Sequence, residues 1–299
     1  GDGDAKIAAG SIYSVYHSPG WVHDMCETGA CDYIDYITYH EYTRREKEVP
    51  NTVNYLSALL NRYNPSVKII QGESGSPSEP DGNGAMCRGN WSQDKQAKLL
   101  LRRLVVDLNT EVEFTSWFTT VDMSEALYGE NGNVASYLDY GYFGVLGAQF
   151  DAEGKSIGTF EPKKSYYALK NLCGLFGKTG AEPTKLPVFP MGEHYTERVF
   201  GYTVAGRELT AYGFRKPNGS SALFYYKSTD LMTETFEGLT SLIVDMPEEK
   251  VRLVDPMDGS VYELPSGMKK QDGGVYLLDE IPVRDYPLVL TFGDFFEEE

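Results

Sequence analysis

The chain has 299 residues, of which 41% are hydrophobic and 24% charged, and a net charge of −17. This is a globular composition, long enough for one large domain or two ordinary ones. The acidic balance argues against nucleic acid or an anionic membrane surface as partner. No run of 18 apolar residues occurs, so no segment is expected to span a membrane. The four cysteines form no paired CxxC knuckles, and neither a metal nor a cofactor is expected. Cys26 and Cys31 are close enough in sequence to pair or to remain as free buried thiols, while Cys87 and Cys173 stand alone.

Residues 6–14 (KIAAGSIYS) read as a short apolar strand with a glycine inside it, and 21–31 as a helix. Residues 33–42 (YIDYITYHEY) are rich in Tyr, Ile and Thr and predict a strand. Alternation puts His40 and Tyr42 on one face and Glu41 on the other. Over 50–63, Val53, Leu56, Leu59 and Leu60 recur at helical spacing. Residues 67–70 (VKII) predict a buried strand that breaks into Gln71-Gly72-Glu73-Ser74-Gly75. Glycines on both sides of a carboxylate let the backbone turn sharply and let another molecule come close. The plainer reading of Glu73 is a turn residue bound to backbone amides. Residues 92–108 predict a second amphipathic helix capped by Ser92, and 113–120 a strand ending near Trp117. From 122 to 159 Gly, Tyr and Asn dominate, which predicts a long loop of the kind that carries function. Residues 162–176 predict a closing helix with Pro162 in its first turn.

Strand and helix thus alternate, which calls for parallel βα units. Composition changes after Gly177, and 178–187 reads as a linker. Short β-rich runs follow at 199–204, 208–214, 221–227, 241–246, 250–255, 274–279 and 287–293, separated by turn signals such as Pro217-Asn218-Gly219 and Asp258-Gly259. Such spacing predicts a β-sandwich or small barrel. The expected fold class is α/β plus all-β, with a βα domain over 1–178 and a β-domain over 185–299.

In this order the segments resemble the clan A glycoside hydrolases, a retaining (β/α)8 group. The seventh strand of that group ends in a catalytic Glu followed closely by Gly, matched by Glu73-Ser74-Gly75. Its sixth strand carries D-x-x-x-x-H-x-Y, matched by Asp35, His40 and Tyr42. Trp117 matches the sugar-facing Trp of the eighth strand, and 162–169 the P-K-x-S-Y-x-A-L of the last helix. The resemblance implies a partial (half) TIM barrel, strands five to eight, followed by a β-sandwich. It implies hydrolysis of β-linked glycosides with retention, by two carboxylates roughly 5–5.5 Å apart. Glu73 would be the nucleophile, and Tyr42 the donor that favours its charged form. His40 would orient Tyr42 or a sugar hydroxyl, and Trp117 would stack on the sugar ring. As plain structure, His40 and Trp117 would be core residues.

One departure is large. Strands one to four of the group have no counterpart, nor does the Asn-Glu pair that supplies its general acid/base; no Asn-Glu dipeptide occurs in the chain. A truncated gene or a fragment is the simplest account, and a half-barrel that pairs with a second chain is the other. Weak or absent hydrolysis is therefore expected of the chain alone. Open edges at 6–14 and 113–120 are expected to pair with another copy.

Asp122 and Glu125 follow the last βα strand and would bind sugar hydroxyls or stay solvated. Glu41 and Asp35 read as structural, Asp35 because it starts its strand. Trp91, Tyr128, Tyr137, Tyr140 and Tyr142 would form sugar subsites or pack the loops. The alternative function is a non-catalytic carbohydrate-binding or scaffold protein. An α/β hydrolase of the serine type is disfavoured because position 73 carries Glu where a nucleophile elbow would need Ser. Residues 1–4 do not read as a signal peptide, and cytoplasmic and secreted locations both fit.

Overall fold

The computed structural model describes residues 4–80, 84–127, 137–151, 155–199, 202–204, 209–231, 236–246, 250–265 and 269–296. The chain divides into two compact units, Gly1–Arg88 with Val106–Phe160, and Gly89–Val105 with Glu161–Glu299.

In the first unit β1 (Ala8–Ile12), α1 (Pro19–Glu27), β2 (Tyr36–His40), α2 (Val49–Tyr63) and β3 (Lys68–Ser74) alternate. The division between units falls within α3 (Gln93–Leu108), and β4 (Val112–Trp117) follows it. The sheet order is β1-β2-β3-β4 with every pair parallel, as βα alternation requires. β1 and β4 are its two edges, and the described strands close no barrel. Helix α2 buries Val53, Leu56, Leu59 and Leu60, each such burial worth about 1.5–3 kcal/mol. Ser92 caps α3 as expected: the Lys95 amide donates to its Oγ at 3.3 Å.

Several boundaries move. Helix α1 starts earlier than expected, with a proline in its first turn, and ends before Gly29, whose φ of 83° stops it. Cys31 then lies in a 3-10 turn over Ala30–Tyr33 and is disulfide-bonded to Cys26, with the Cα atoms 5.2 Å apart. The 122–159 stretch is not one long loop. It contains β5 (Met123–Leu127) paired antiparallel to β6 (Tyr137–Gly141), and a second two-stranded sheet of β7 (Leu146–Phe150) and β8 (Ser156–Pro162). Pro162 closes β8 instead of opening a helix; Lys163 is still extended, and α4 spans Lys164–Phe176.

The second unit continues with β9 (Glu182–Pro183), β10 (Val188–Val199), β11 (Tyr202–Val204), β12 (Thr210–Arg215), β13 (Ser221–Tyr226) and β14 (Glu237–Val244). After these come β15 (Val251–Asp255), β16 (Ser260–Glu263), β17 (Lys269–Asp272), β18 (Val275–Arg284) and β19 (Leu288–Phe292). They form a six-stranded sheet, β16-β15-β19-β13-β12-β9, and a five-stranded sheet, β11-β10-β14-β18-β17. β13 and β19 are buried along their whole length. Phe176 of α4 packs on Phe214 and Phe224, with ring centroids 5.2 and 5.7 Å away. The Tyr225 hydroxyl donates to Pro282 O at 2.7 Å, from one sheet to the other, and burial pushes its pKa up. The buried cations of α3 are paired: Lys98 Nζ lies 2.8 Å from Asp285 Oδ1, and Arg102 donates to Ser228 Oγ at 2.8 Å.

Candidate active site

The site is built at the C-terminal ends of the parallel strands, where β/α folds place their ligands. Its position follows from a register change. Tyr39 faces Gln71 across the β2–β3 ladder, but His40 faces Glu73, so β3 carries one more residue than β2. Such a bulge re-aims the side chains beside it. The extra residue is Gly72, and a Cβ there would overlap Thr38 Oγ1 and stand 3.1 Å from His40 Nε2. Gly75 is confined in the same way, because a Cβ would overlap the carbonyl of Phe118. The two glycines flanking Glu73 therefore serve close packing of the neighbouring strands.

Three of the predicted residues converge. The Tyr42 hydroxyl donates to Glu73 Oε1 at 2.6 Å, within the ordinary range of an O–H···O hydrogen bond. His40 Nδ1 lies 3.2 Å from Glu73 Oε2. Each carboxylate oxygen thus has its own partner. Burial first, then the hydrogen bond and charge of Glu73, pushes the Tyr42 pKa well above that of a free phenol. Tyr42 therefore remains a proton donor throughout the neutral range.

These residues border a cleft of about 350 Å³, lined also by Tyr13, Phe118, Met123 and Phe143. Phe143 meets Tyr42 and Phe118 edge to face, at 6.1 and 5.9 Å. The turn that holds Phe143 is fixed by Asp122, whose Oδ1 accepts from the Gly144 amide at 2.9 Å. Asp122 is buried, which replaces the reading of a solvated or sugar-binding loop charge with a structural one. Glu73 is the one carboxylate among the described residues lining the cleft.

Trp117 ends β4, opposite Ser74 of β3, half-buried with its indole nitrogen enclosed. It is not among the described residues that line the cleft; Phe118, the next residue, is. Glu41 turns toward α2 and accepts from Thr52 Oγ1 at 3.2 Å. Asp35 binds Lys6 Nζ and the Ile7 amide, both at 2.9 Å, at the far end of its strand. The Ile7 amide, then the lysine, holds its pKa down. Trp91 is buried, and Tyr142 O accepts from the Ser78 amide. Tyr128 lies outside the described residues, as do the side chains of Glu125, Tyr137 and Tyr140. The sequence reading did not single out Tyr13, Phe118, Met123 or Phe143. Phe118 was signalled by its place next to Trp117, whereas Phe143 had no local signal.

No protein-family model matches the chain, and no curated protein matches it in sequence. Solved structures do match it in fold. The GH51 arabinofuranosidase from Xanthomonas axonopodis pv. citri aligns over 92% of this chain and 55% of its own, with a TM-score of 0.53 and 11% identity. The GH39 β-xylosidase from Caulobacter crescentus aligns over 97% and 58%, with a TM-score of 0.43 and 13% identity. The catalytic domain of GH30 xylanase C from Talaromyces cellulolyticus aligns over 97% and 52%, with a TM-score of 0.42 and 12% identity. The chain therefore has a fold like that of the GH51 arabinofuranosidase, and spans about half the length of each of these structures.

Proposed function

We propose that this chain carries the nucleophile side of a retaining β-glycosidase site, on four βα units of a half-barrel followed by a β-sandwich. The observation that carries the reading is the pairing of both Glu73 oxygens, one with Tyr42 and one with His40, at a strand end over an open cleft. Glu73 is the nucleophile. Tyr42 and His40 position its carboxylate, one at each oxygen. Trp117, which ends β4 next to Phe118, takes the role of a sugar platform. The ligand is a carbohydrate.

In the retaining mechanism Glu73 attacks the anomeric carbon and the glycosidic C–O bond breaks. A second carboxylic acid protonates the departing oxygen, then removes a proton from the water that releases the sugar. The described cleft holds no second carboxylate. The chain alone should therefore be weak or inactive, since general acid/base catalysis contributes about 10²–10⁴-fold. The same observation favours a second reading, a non-catalytic carbohydrate-binding protein.

The test supplies the acid/base side as a separate four-βα polypeptide and treats the mixture with a 2-fluoro glycoside that traps the glycosyl-enzyme. Mass spectrometry should find the label on Glu73. A label on another carboxylate would sink the assignment. Sugar binding without labelling or turnover would select the binding-protein reading.

A further inference from the structure

At the end of the first unit's sheet away from Glu73, α1 and α2 bring an imidazole, two carboxylates and a phenol together. His23, Asp24 and Glu27 lie in the C-terminal half of α1, and Tyr63 is the last residue of α2. Both helices run back from the strand ends that hold Glu73, so their C-termini lie where the strands begin. In β/α folds that end serves stability, not chemistry. Ligand atoms of His23, Asp24 and Glu27 all lie within 4.8 Å of one another. The missing cysteine pairs speak only to thiolate zinc sites and leave this kind open.

The hydrogen bonds around His23 leave one oxygen without a donor. Its Nδ1 lies 3.3 Å from Asp24 Oδ1, which selects the tautomer with the proton on Nδ1. Its Nε2 then presents a lone pair, to which the Tyr63 hydroxyl donates at 3.3 Å. Glu27 Oε1 faces the same lone pair at 3.5 Å. Two acceptors opposed in this way call for a cation between them. Among the described residues no lysine or arginine pairs with Asp24 or Glu27; Arg62 lies over the Tyr63 ring at 5.4 Å and bridges neither. Metal bonds of about 2.0–2.2 Å at the tetrahedral angle put two ligand atoms about 3.3–3.6 Å apart, which the Nε2–Oε1 distance matches. The negative end of the α1 dipole also favours a cation there. The disulfide from Cys26 to Cys31 and the bond from the Thr28 amide to Asp24 O fix this end of the helix.

We infer that His23 Nε2 and Glu27 Oε1 are ligands of a divalent transition metal, with Asp24 holding the imidazole from behind and Tyr63 bonding a metal-bound water. A carboxylate on the second ring nitrogen is the usual partner of a metal-bound histidine. One imidazole with one carboxylate suits zinc and disfavours magnesium and calcium, which take oxygen ligands. The metal joins the ends of α1 and α2, and its role is structural. The inference is independent of the Glu73 reading.

The test is calorimetric titration of the tag-free, chelator-stripped chain with zinc chloride, with magnesium chloride as comparison. Nitrogen NMR of the imidazoles identifies the atom bound. Zinc should bind and should shift His23 Nε2 more than Nδ1. His23→Gln and Glu27→Gln should remove that binding, and Asp24→Asn should weaken it about ten- to a hundredfold. Zinc should raise the melting temperature of the parent and not of His23→Gln. The carboxylates are exposed, so their variants should melt like the metal-free parent. Equal zinc binding in the parent and in His23→Gln would overturn the site, and so would the absence of zinc binding. Magnesium that binds as tightly as zinc would reduce it to an acidic surface. Binding that survives Glu27→Gln and is lost in Asp24→Asn would overturn the assignment of Nε2.

Discussion

The two units spend their aromatic and charged residues differently. In the second unit, Phe214, Phe224 and Phe292 are fully enclosed, and Lys98 and Asp285 are buried as a pair. In the first unit, Phe114 in the edge strand β4 is 58% exposed, and the residues around Glu73 stand open to a cleft. The second unit uses polar groups to close its interior. The first leaves them with unused capacity at strand ends. The contrast separates stability from chemistry, because a buried and satisfied charge has nothing left for a ligand. A carboxylate held by two side chains at a cleft does.

The largest expected effect tests the chemical side. In the reconstituted barrel, Glu73→Gln should lower kcat on the order of 10⁴-fold or more, as loss of a catalytic nucleophile does. The circular dichroism spectrum and melting temperature should not change. Wild-type-like turnover in that variant would place the nucleophile elsewhere.

The next tests the stability side. Phe224→Ala should cost about 3–5 kcal/mol in urea unfolding, because Phe176 and Phe214 lose a fully buried ring. Phe114→Ala, at an exposed position, should stay within about 0.5 kcal/mol. Equal costs for the two would erase the contrast.

Tyr42→Phe removes the donor to Glu73 Oε1. A hydrogen bond to a charged group is worth about 1.5–3 kcal/mol, so kcat/KM in the reconstituted system should fall about ten- to a hundredfold. The pH dependence has a definite sign. The folded-state pKa of Tyr42 is raised, so its contribution to stability is complete below the ordinary tyrosine pKa near 10 and is lost as pH rises beyond it. Unfolding measured from pH 8 to 11 should show a smaller loss in Tyr42→Phe than in the parent.

The smallest effect belongs to Asp255. Burial raises its pKa against the opposing bonds from the Met257 amide and Tyr286. A raised carboxyl pKa contributes stability that is present at acid pH and is lost as pH rises through the folded value. Asp255→Asn should keep an acceptor for the Tyr286 hydroxyl, which lies 2.9 Å from Oδ2. Thermal unfolding between pH 4 and 8 should lose that component in the variant, with a change at neutral pH within about 1 kcal/mol.

Much of this protein was legible from local pattern. The βα alternation, the apolar stripe of α2, the Ser92 cap and most strands of the second unit follow from periodicity and from residues a few positions apart. Glu73 stood out for a local reason as well, a carboxylate between glycines at the end of an apolar run. What those glycines do was not legible. Gly72 makes room for Thr38 and His40, and Gly75 for the Phe118 carbonyl, and those atoms come from other strands. The pairing of Cys26 with Cys31 needed the break at Gly29 and the 3-10 turn after it. The strands within 122–159 lacked the alternation that marks a strand, and Asp122 looked solvated until Gly144 was found against it. Sequence by itself determined the βα alternation, most strands of the second unit and which carboxylate ends a strand, because those depend on neighbours along the chain. Only the tertiary structure decided which side chains surround that carboxylate: bulges in β1 and β3 set the register, and a shift of one residue there turns a different face toward Glu73.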